Sequence, residues 1–380
     1  MNHLLSGNPD RGSASSGHPK RRRARFRDLV TFPGLVALTL LILILNTGCF
    51  DVAETPLPTR AATPEQAPAS MLALVPERPV CSDATTPEPT ATIPPLADNR
   101  SPTPLPVKWP IPAGRSQLLE ARMHSDTIGR DLPIAVYLPP GYFDSPRAYP
   151  VLYMLSGFEG DYHEWINWGL CDVTERLVRG GQIQPMIVVY PQGDKSWWFN
   201  HVPPPDGDGL RWGDYVWKDV VAYVDANFRT IKNPMSRAIG GLSAGGQSAL
   251  MLAMTHPEVF GIVGAHSPSF RGADGSVPEF GDWDFFNQYD PFWLLDHTDG
   301  TRRLKLWIDV AGGDYQWRNC NPPPSPQRCI EVFHALLDAK GIPHEWHDMW
   351  PGIHDNYYWS AHIADYLAWY SSVLVGSSTP

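Results

Sequence analysis

From residue 115 onward, short apolar runs alternate with longer amphipathic stretches. Residues 132–138 (LPIAVYL) stop at Pro139-Pro140-Gly141, and residues 150–155 (PVLYML) run into Ser156-Gly157. Residues 186–190 (MIVVY), 237–242 (RAIGGL), 261–265 (GIVGA) and 304–310 (LKLWIDV) are apolar almost throughout, the pattern of strands buried on both faces. A last strand is expected at 344–350. Helix-compatible patterns fall between them at 212–228, 248–255, 329–340 and 355–374. Strands alternating with helices predict an α/β domain, with a mostly parallel central sheet and helices on both faces. Residues 270–301 lack clear periodicity, are rich in Trp, Phe, Gly and Asp, and separate two strands expected to be neighbours. They read as a short lid-like insertion or a pocket wall.

Composition confines the fold to part of the chain. Prolines crowd residues 55–114 together with Thr, Ala and Ser, which is linker composition. About 260 residues remain for one core, an ordinary size. Net charge is −10 although Lys20, Arg21, Arg22, Arg23, Arg25 and Arg27 cluster near the N-terminus. An acidic domain without a basic stripe repels phosphate backbones, so a nucleic-acid partner is excluded.

The basic cluster instead precedes residues 35–45 (LVALTLLILIL), an apolar core of signal-peptide length and shorter than the ~20 residues that span a bilayer. Export follows. Asn46-Thr47-Gly48-Cys49 resembles a bacterial lipobox, with Asn46 where Leu is usual and Leu45 displaced by one. The alternative is an uncleaved anchor lengthened by residues 29–34. Either arrangement tethers the domain to the outer face of the membrane. The expected division is 1–49 for the basic and signal or anchor segment, 50–114 for a disordered linker, 115–374 for the catalytic domain and 375–380 for a tail. If Cys49 carries lipid, Cys81, Cys171, Cys320 and Cys329 form an even set suited to an oxidising compartment. A disulfide between Cys320 and Cys329 would pin the proline-rich loop between them. None of the cysteines lies in a zinc-type cluster, so no metal is expected.

The chemistry centres on Gly240-Gly241-Leu242-Ser243-Ala244-Gly245-Gly246, where G-x-S-x-G follows a strand and opens a helix. A sharp turn there lifts the serine hydroxyl above the sheet, and flanking glycines are needed where a Cβ would collide with backbone. The hydroxyl is a weak nucleophile and requires a histidine to take its proton. Of thirteen histidines, His354 lies on the loop between the last strand and the last helix, at the catalytic edge. His344 and His347 belong to the preceding strand and read as pairing or surface residues. The acid should follow a strand between Ser243 and His354. Asp309 lies inside one, whereas Asp314 follows Gly312-Gly313 at its carboxyl end and is better placed to orient the imidazole. Backbone N–H groups of Ala244 and Phe158 are the candidate oxyanion donors.

The stretches VLYMLSGFEGDYHEW, IGGLSAGGQSALMLAMTHPEVFGIVGAHSP and WPGIHDNYYW resemble the esterase D and feruloyl-esterase group of α/β hydrolases. That group is also similar to the mycolyltransferases of antigen 85 type. The likeness spans about residues 115–374. It implies an α/β-hydrolase fold, no metal cofactor, and acyl-ester chemistry through an acyl-enzyme, and it leaves the substrate open; the expected partner is a small-molecule or glycan-linked ester, with no cofactor. Ser156 departs from the histidine common before the oxyanion-loop glycine, but backbone donors do not depend on that side chain. Relatives often line the acyl or alcohol pocket near Asp194-Lys195-Ser196-Trp197-Trp198. Trp197, Trp198, Trp283 and Trp317 are accordingly the pocket candidates, for stacking on sugar rings or aromatic acyl groups. The rivals to hydrolysis are acyl transfer by the same triad and noncatalytic glycan binding. Cytosolic thioester hydrolysis conflicts with the signal segment.

Overall fold

The computed structural model describes residues 108–314 and 328–376. The strands are β1 (Gln117–Ser125), β2 (Arg130–Leu138), β3 (Val151–Leu155), β4 (Ile187–Pro191), β5 (Arg237–Leu242), β6 (Ile262–His266), β7 (Lys305–Ala311) and β8 (Glu345–Trp350). They form one eight-stranded sheet in the order β1-β2-β4-β3-β5-β6-β7-β8. β2 runs antiparallel to both of its neighbours, and every other pairing is parallel. Six strands fall on the apolar runs, and β8 falls on the last strand expected at 344–350. β1 was not anticipated.

Strand periodicity builds a core on each face. In β3, Val151, Tyr153 and Leu155 join one apolar cluster, while Leu152 and Met154 join the other. The first cluster is covered by α4 (Val221–Asn227), α5 (Ala244–Thr255) and α8 (Cys329–Ala339), and the second by α2 (Leu170–Arg179) and α9 (Asn356–Val373). Short helices α1 (Glu164–Asn167), α3 (Trp212–Asp214), α6 (Trp283–Phe286) and α7 (Pro291–His297) complete the described set. The stretch predicted as one helix at 212–228 is instead α3 and α4 joined by a π-helical segment, Tyr215–Val220.

Residues 270–301 connect the adjacent strands β6 and β7, as expected, through α6, α7 and 3₁₀ turns. Val277, Phe280 and Phe286 from this segment pack with Trp197, Phe199 and Met251 in a third apolar cluster. It stands as a wall on the domain. Cys171 is buried and disulfide-bonded. Cys49, Cys81 and Cys320 lie outside the described residues, as do the segments expected to serve as signal, anchor and most of the linker. Cys329 is buried at the first position of α8. Among the described residues, no helix is long and apolar enough to cross a membrane.

Candidate active site

Ser243 stands between β5 and α5 with φ +54° and ψ −117°, a left-handed conformation that side-chain-bearing residues avoid. Its surroundings hold it there. Ser243 N–H donates to His266 O at 3.1 Å, and Ser243 O accepts from Ser269 N–H at 3.0 Å and Gln247 N–H at 3.1 Å. The helix that starts at the next residue directs its N-terminal dipole at the same place.

The loops after β7 and β8 are laced together. Gly312 N–H donates to Trp350 O at 2.9 Å and Gly313 N–H to Gly352 O at 3.0 Å, so the acid and histidine loops share one main-chain frame. Asp355 caps α9 by accepting from Tyr358 N–H at 3.0 Å, which fixes the chain just after His354. As a result His354 Nδ1 lies 2.6 Å from Asp314 Oδ2, and its Nε2 lies 2.9 Å from Ser243 Oγ. Asp314 is buried, and Arg328 donates to the main-chain oxygens of Ala311 and Asp314 around it. The structure therefore brings together the three residues selected from the sequence.

Asp309 has another place. It is fully buried, accepting from His266 Nδ1 at 2.7 Å, Trp307 Nε1 at 2.8 Å, Tyr358 Oη at 2.7 Å and Tyr366 Oη at 3.1 Å. Four donors saturate its carboxylate beneath the sheet edge, and none is His354.

A cavity of about 620 Å³ opens above the serine. Ser243, His354, Gly157 and Phe158 line it with Trp168, Trp197 and Trp359, together with Glu164, Arg271 and residues 276–279 of the β6–β7 wall. Phe158 is 43% exposed and stacks on Trp197 at 4.9 Å between ring centres. Trp168 and Trp359 stack nearly parallel, 5.5 Å apart. Of the four tryptophans picked from the sequence, Trp197 lines this cavity. Trp198 does not. Left-handed backbone at Trp197 and Trp198, φ +57° and +59°, turns its ring inward, where its indole donates to Ser156 O at 2.9 Å. Trp283 packs against Phe286 and the backbone at Gly272, away from the cavity lining. Trp317 lies outside the described residues.

Sequence reading missed Trp168, Trp359, Arg271 and Glu164. Glu164 Oε2 accepts from Gly157 N–H at 2.7 Å. Burial pushes its carboxyl up to about 7, with the Gly157 hydrogen bond pulling it down and Asp161 adding to the rise. Among the described residues, His334, Asp338 and His344 are close enough for metal binding. However, His334 spends its two ring nitrogens on different partners, Nδ1 toward His344 at 2.7 Å and Nε2 toward Asp338 at 3.5 Å. His344 also precedes β8, at the opposite end of that strand from His354.

A mostly parallel sheet, a strand-to-helix elbow bearing serine, an acid after β7 and a histidine after β8 define an α/β hydrolase. Similar solved structures share that fold. A ferulic acid esterase has a TM-score of 0.57 at 21% identity, over 68% of this chain and 99% of its own. An S-formylglutathione hydrolase from Agrobacterium tumefaciens has a TM-score of 0.56 at 20% identity, over 68% of this chain and 96% of its own. The chain belongs to the Esterase family, whose model matches residues 125–370. Among curated relatives, Esterase Rv1288 of Mycobacterium tuberculosis is 29% identical over 259 residues, 61% of this chain and 54% of that protein. An endo-1,4-beta-xylanase/feruloyl esterase of Xylanibacter ruminicola is 28% identical over 146 residues, 37% of this chain and 20% of that protein. The chain thus spans about half the length of the mycobacterial relative. The family is thus that of esterases, and the fold is the α/β-hydrolase fold those structures share.

Proposed function

We propose that this protein is a serine carboxylic-ester hydrolase working through an acyl-enzyme. The observation that carries the reading is the continuous contact from Asp314 through His354 to Ser243 Oγ, at 2.6 and 2.9 Å. In this mechanism Ser243 Oγ attacks the ester carbonyl carbon while His354 Nε2 takes the hydroxyl proton. Asp314 accepts from Nδ1–H, holds the tautomer and stabilises the imidazolium without taking the proton. The tetrahedral oxyanion is received by the N–H groups of Phe158 and Ala244. Among the described residues, neither amide is engaged by another backbone or side-chain acceptor outside regular elements. His354 then protonates the leaving alcohol, the C–O bond to it breaks, and water resolves the acyl-enzyme by the same steps in reverse order.

The aromatic walls formed by Phe158, Trp168, Trp197 and Trp359 favour esters with a flat acyl group or a sugar alcohol. The ferulic acid esterase among the similar structures supports the same substrate class. Export rests on sequence alone. The basic cluster, the apolar core at 35–45 and Cys49 support a domain tethered outside the cytoplasm. Labelling of the wild type by an alkyne fatty acid, abolished in Cys49→Ala, would support lipidation; an unlabelled wild type that stays in the membrane fraction would favour an uncleaved anchor.

Burst kinetics on p-nitrophenyl acetate and methyl ferulate test the catalytic reading, beside Ser243→Ala and His354→Ala. A burst in the wild type and its loss in both variants is expected. A folded wild type with no turnover would overturn the assignment. Product analysis with added sugar alcohols separates hydrolysis from acyl transfer, since transfer yields a new ester in place of free acid.

A further inference from the structure

The main chain running from β3 into the cavity is held at three successive residues by three side chains. Trp165 Nε1 donates to Leu155 O at 2.9 Å, Trp198 Nε1 donates to Ser156 O at 2.9 Å, and Glu164 Oε2 accepts from Gly157 N–H at 2.7 Å. The next amide along is that of Phe158. Two of the three clamps are indoles, which do not titrate. The third is a carboxyl that lines the same cavity as Ser243 and His354.

We propose that Glu164 is a positioning residue for the oxyanion loop, and that the protonation state of its carboxyl regulates the site. This rests on the reading of Phe158 N–H as an oxyanion donor. A donor is effective when it is fixed in place before charge develops, and Glu164 fixes the peptide immediately before it. Neutral Glu164 anchors the loop without cost to the transition state. Ionised Glu164 still anchors it, but sets a negative charge beside the forming oxyanion, where like charges oppose each other.

The groups around it bear on that balance. Asp161 shares its turn, His354 faces the cavity from the loop before α9, and Arg271 and Glu279 face it from the β6–β7 wall. His163, the residue before Glu164, is turned toward Glu120 of β1 at 3.1 Å. Burial is the largest influence and puts the change of charge at about 7, within the working range of a serine–histidine pair.

The test compares the full-length wild type, Glu164→Gln and Glu164→Ala on p-nitrophenyl acetate from pH 6 to 9, with kcat and KM resolved and burst amplitude counting competent sites. Gln keeps an acceptor oxygen and carries no charge. The ratio of its kcat to that of the wild type is expected near one at pH 6 and about threefold to tenfold higher by pH 8.5. Glu164→Ala loses the acceptor, and its kcat is expected to fall about tenfold at every pH with KM little changed. A ratio that does not move with pH overturns the regulation, and a normal kcat in a folded Glu164→Ala overturns the positioning. If Glu164→Ala does not fold, the Gln ratio still decides. A wild type without a burst removes the esterase reading and this inference with it, whereas a normal burst with unchanged variants removes only the inference.

Discussion

Asp309 and Asp314 lie on one strand and its exit loop, and what surrounds each divides their tasks. Asp309 takes hydrogen bonds from His266, Trp307, Tyr358 and Tyr366 in a fully buried site, tying β6, β7 and α9 together below the catalytic edge. Asp314 meets His354 at the catalytic loop instead. Asp314→Asn should keep the fold and lower kcat about 10⁴-fold, because the amide presents a donor where an acceptor is needed and selects the wrong tautomer. Asp309→Asn should do the reverse. It leaves buried donors facing an amide, at a cost of about 2–4 kcal/mol, while the folded fraction turns over near normally. Urea unfolding and kcat measured on both variants decide between them. Abolished turnover in Asp309→Asn at unchanged stability would exchange the assignments.

At the scale of elements, six strands are legible because burial writes a nearly uninterrupted apolar run, and β8, EWHDMW, is placed instead as the strand that closes the sheet. β1 (QLLEARMHS) is not legible in either way. It is an edge strand, half-buried along most of its length, held by a nine-residue ladder to β2 rather than by a core of its own. α2 did carry a signal that went unread, since Leu170, Cys171, Thr174, Leu177 and Val178 follow the helical repeat between Gly169 and Gly180. Ser243, Asp314 and His354 were legible for a related reason. Each sits at a junction whose type and chain order this fold prescribes. Glu164 opens the four-residue helix α1 and Arg271 lies in irregular chain after β6, both too short to leave a periodic trace, and the inward rotation of Trp198 depends on two left-handed residues in a row.

The junction between elements also supplies a prediction. A Cβ on Gly245 would lie 2.4 Å from Ser156 O and 2.7 Å from Leu155 O, both backbone atoms at the oxyanion loop. Gly245→Ala should therefore push α5 and that loop apart. We expect a loss of about 2 kcal/mol or more in stability and of about 100-fold in kcat/KM from misplaced donors. Unchanged values for both would mean that the elbow and the loop are not packed as described.

For the whole molecule, stability across pH depends on carboxyls that the fold treats in opposite ways. Burial pushes Glu164 from 4.5 up to about 7, and likewise raises Asp290, the buried N-cap of α7, from 3.8 to about 6. For Asp214, burial alone would act upward, but hydrogen bonds from Lys218, Asn200 and Arg211 outweigh it and bring the group down to about 2. The signs follow from proton binding. Between about pH 4 and 7 the folded state keeps protons on Glu164 and Asp290 that the unfolded chain has released, so stability falls as pH rises through that window and levels off above it. At about 1.4 kcal/mol per unit of pKa difference, each group contributes on the order of 3 kcal/mol to the fall. Asp214 works on the acid side, where its contribution is present above about pH 4 and disappears as pH drops through 2. Taken by themselves, these three groups favour the folded state most near pH 4–5. Urea midpoints for the wild type, Glu164→Gln and Asp290→Asn from pH 3 to 8 measure this directly. Each variant should show a shallower descent between pH 5 and 7, and Asn should still cap α7. A Glu164→Gln protein that keeps the full wild-type descent would show that the cavity carboxyl is ionised throughout, in which case the fold carries its charge at the active site at every working pH.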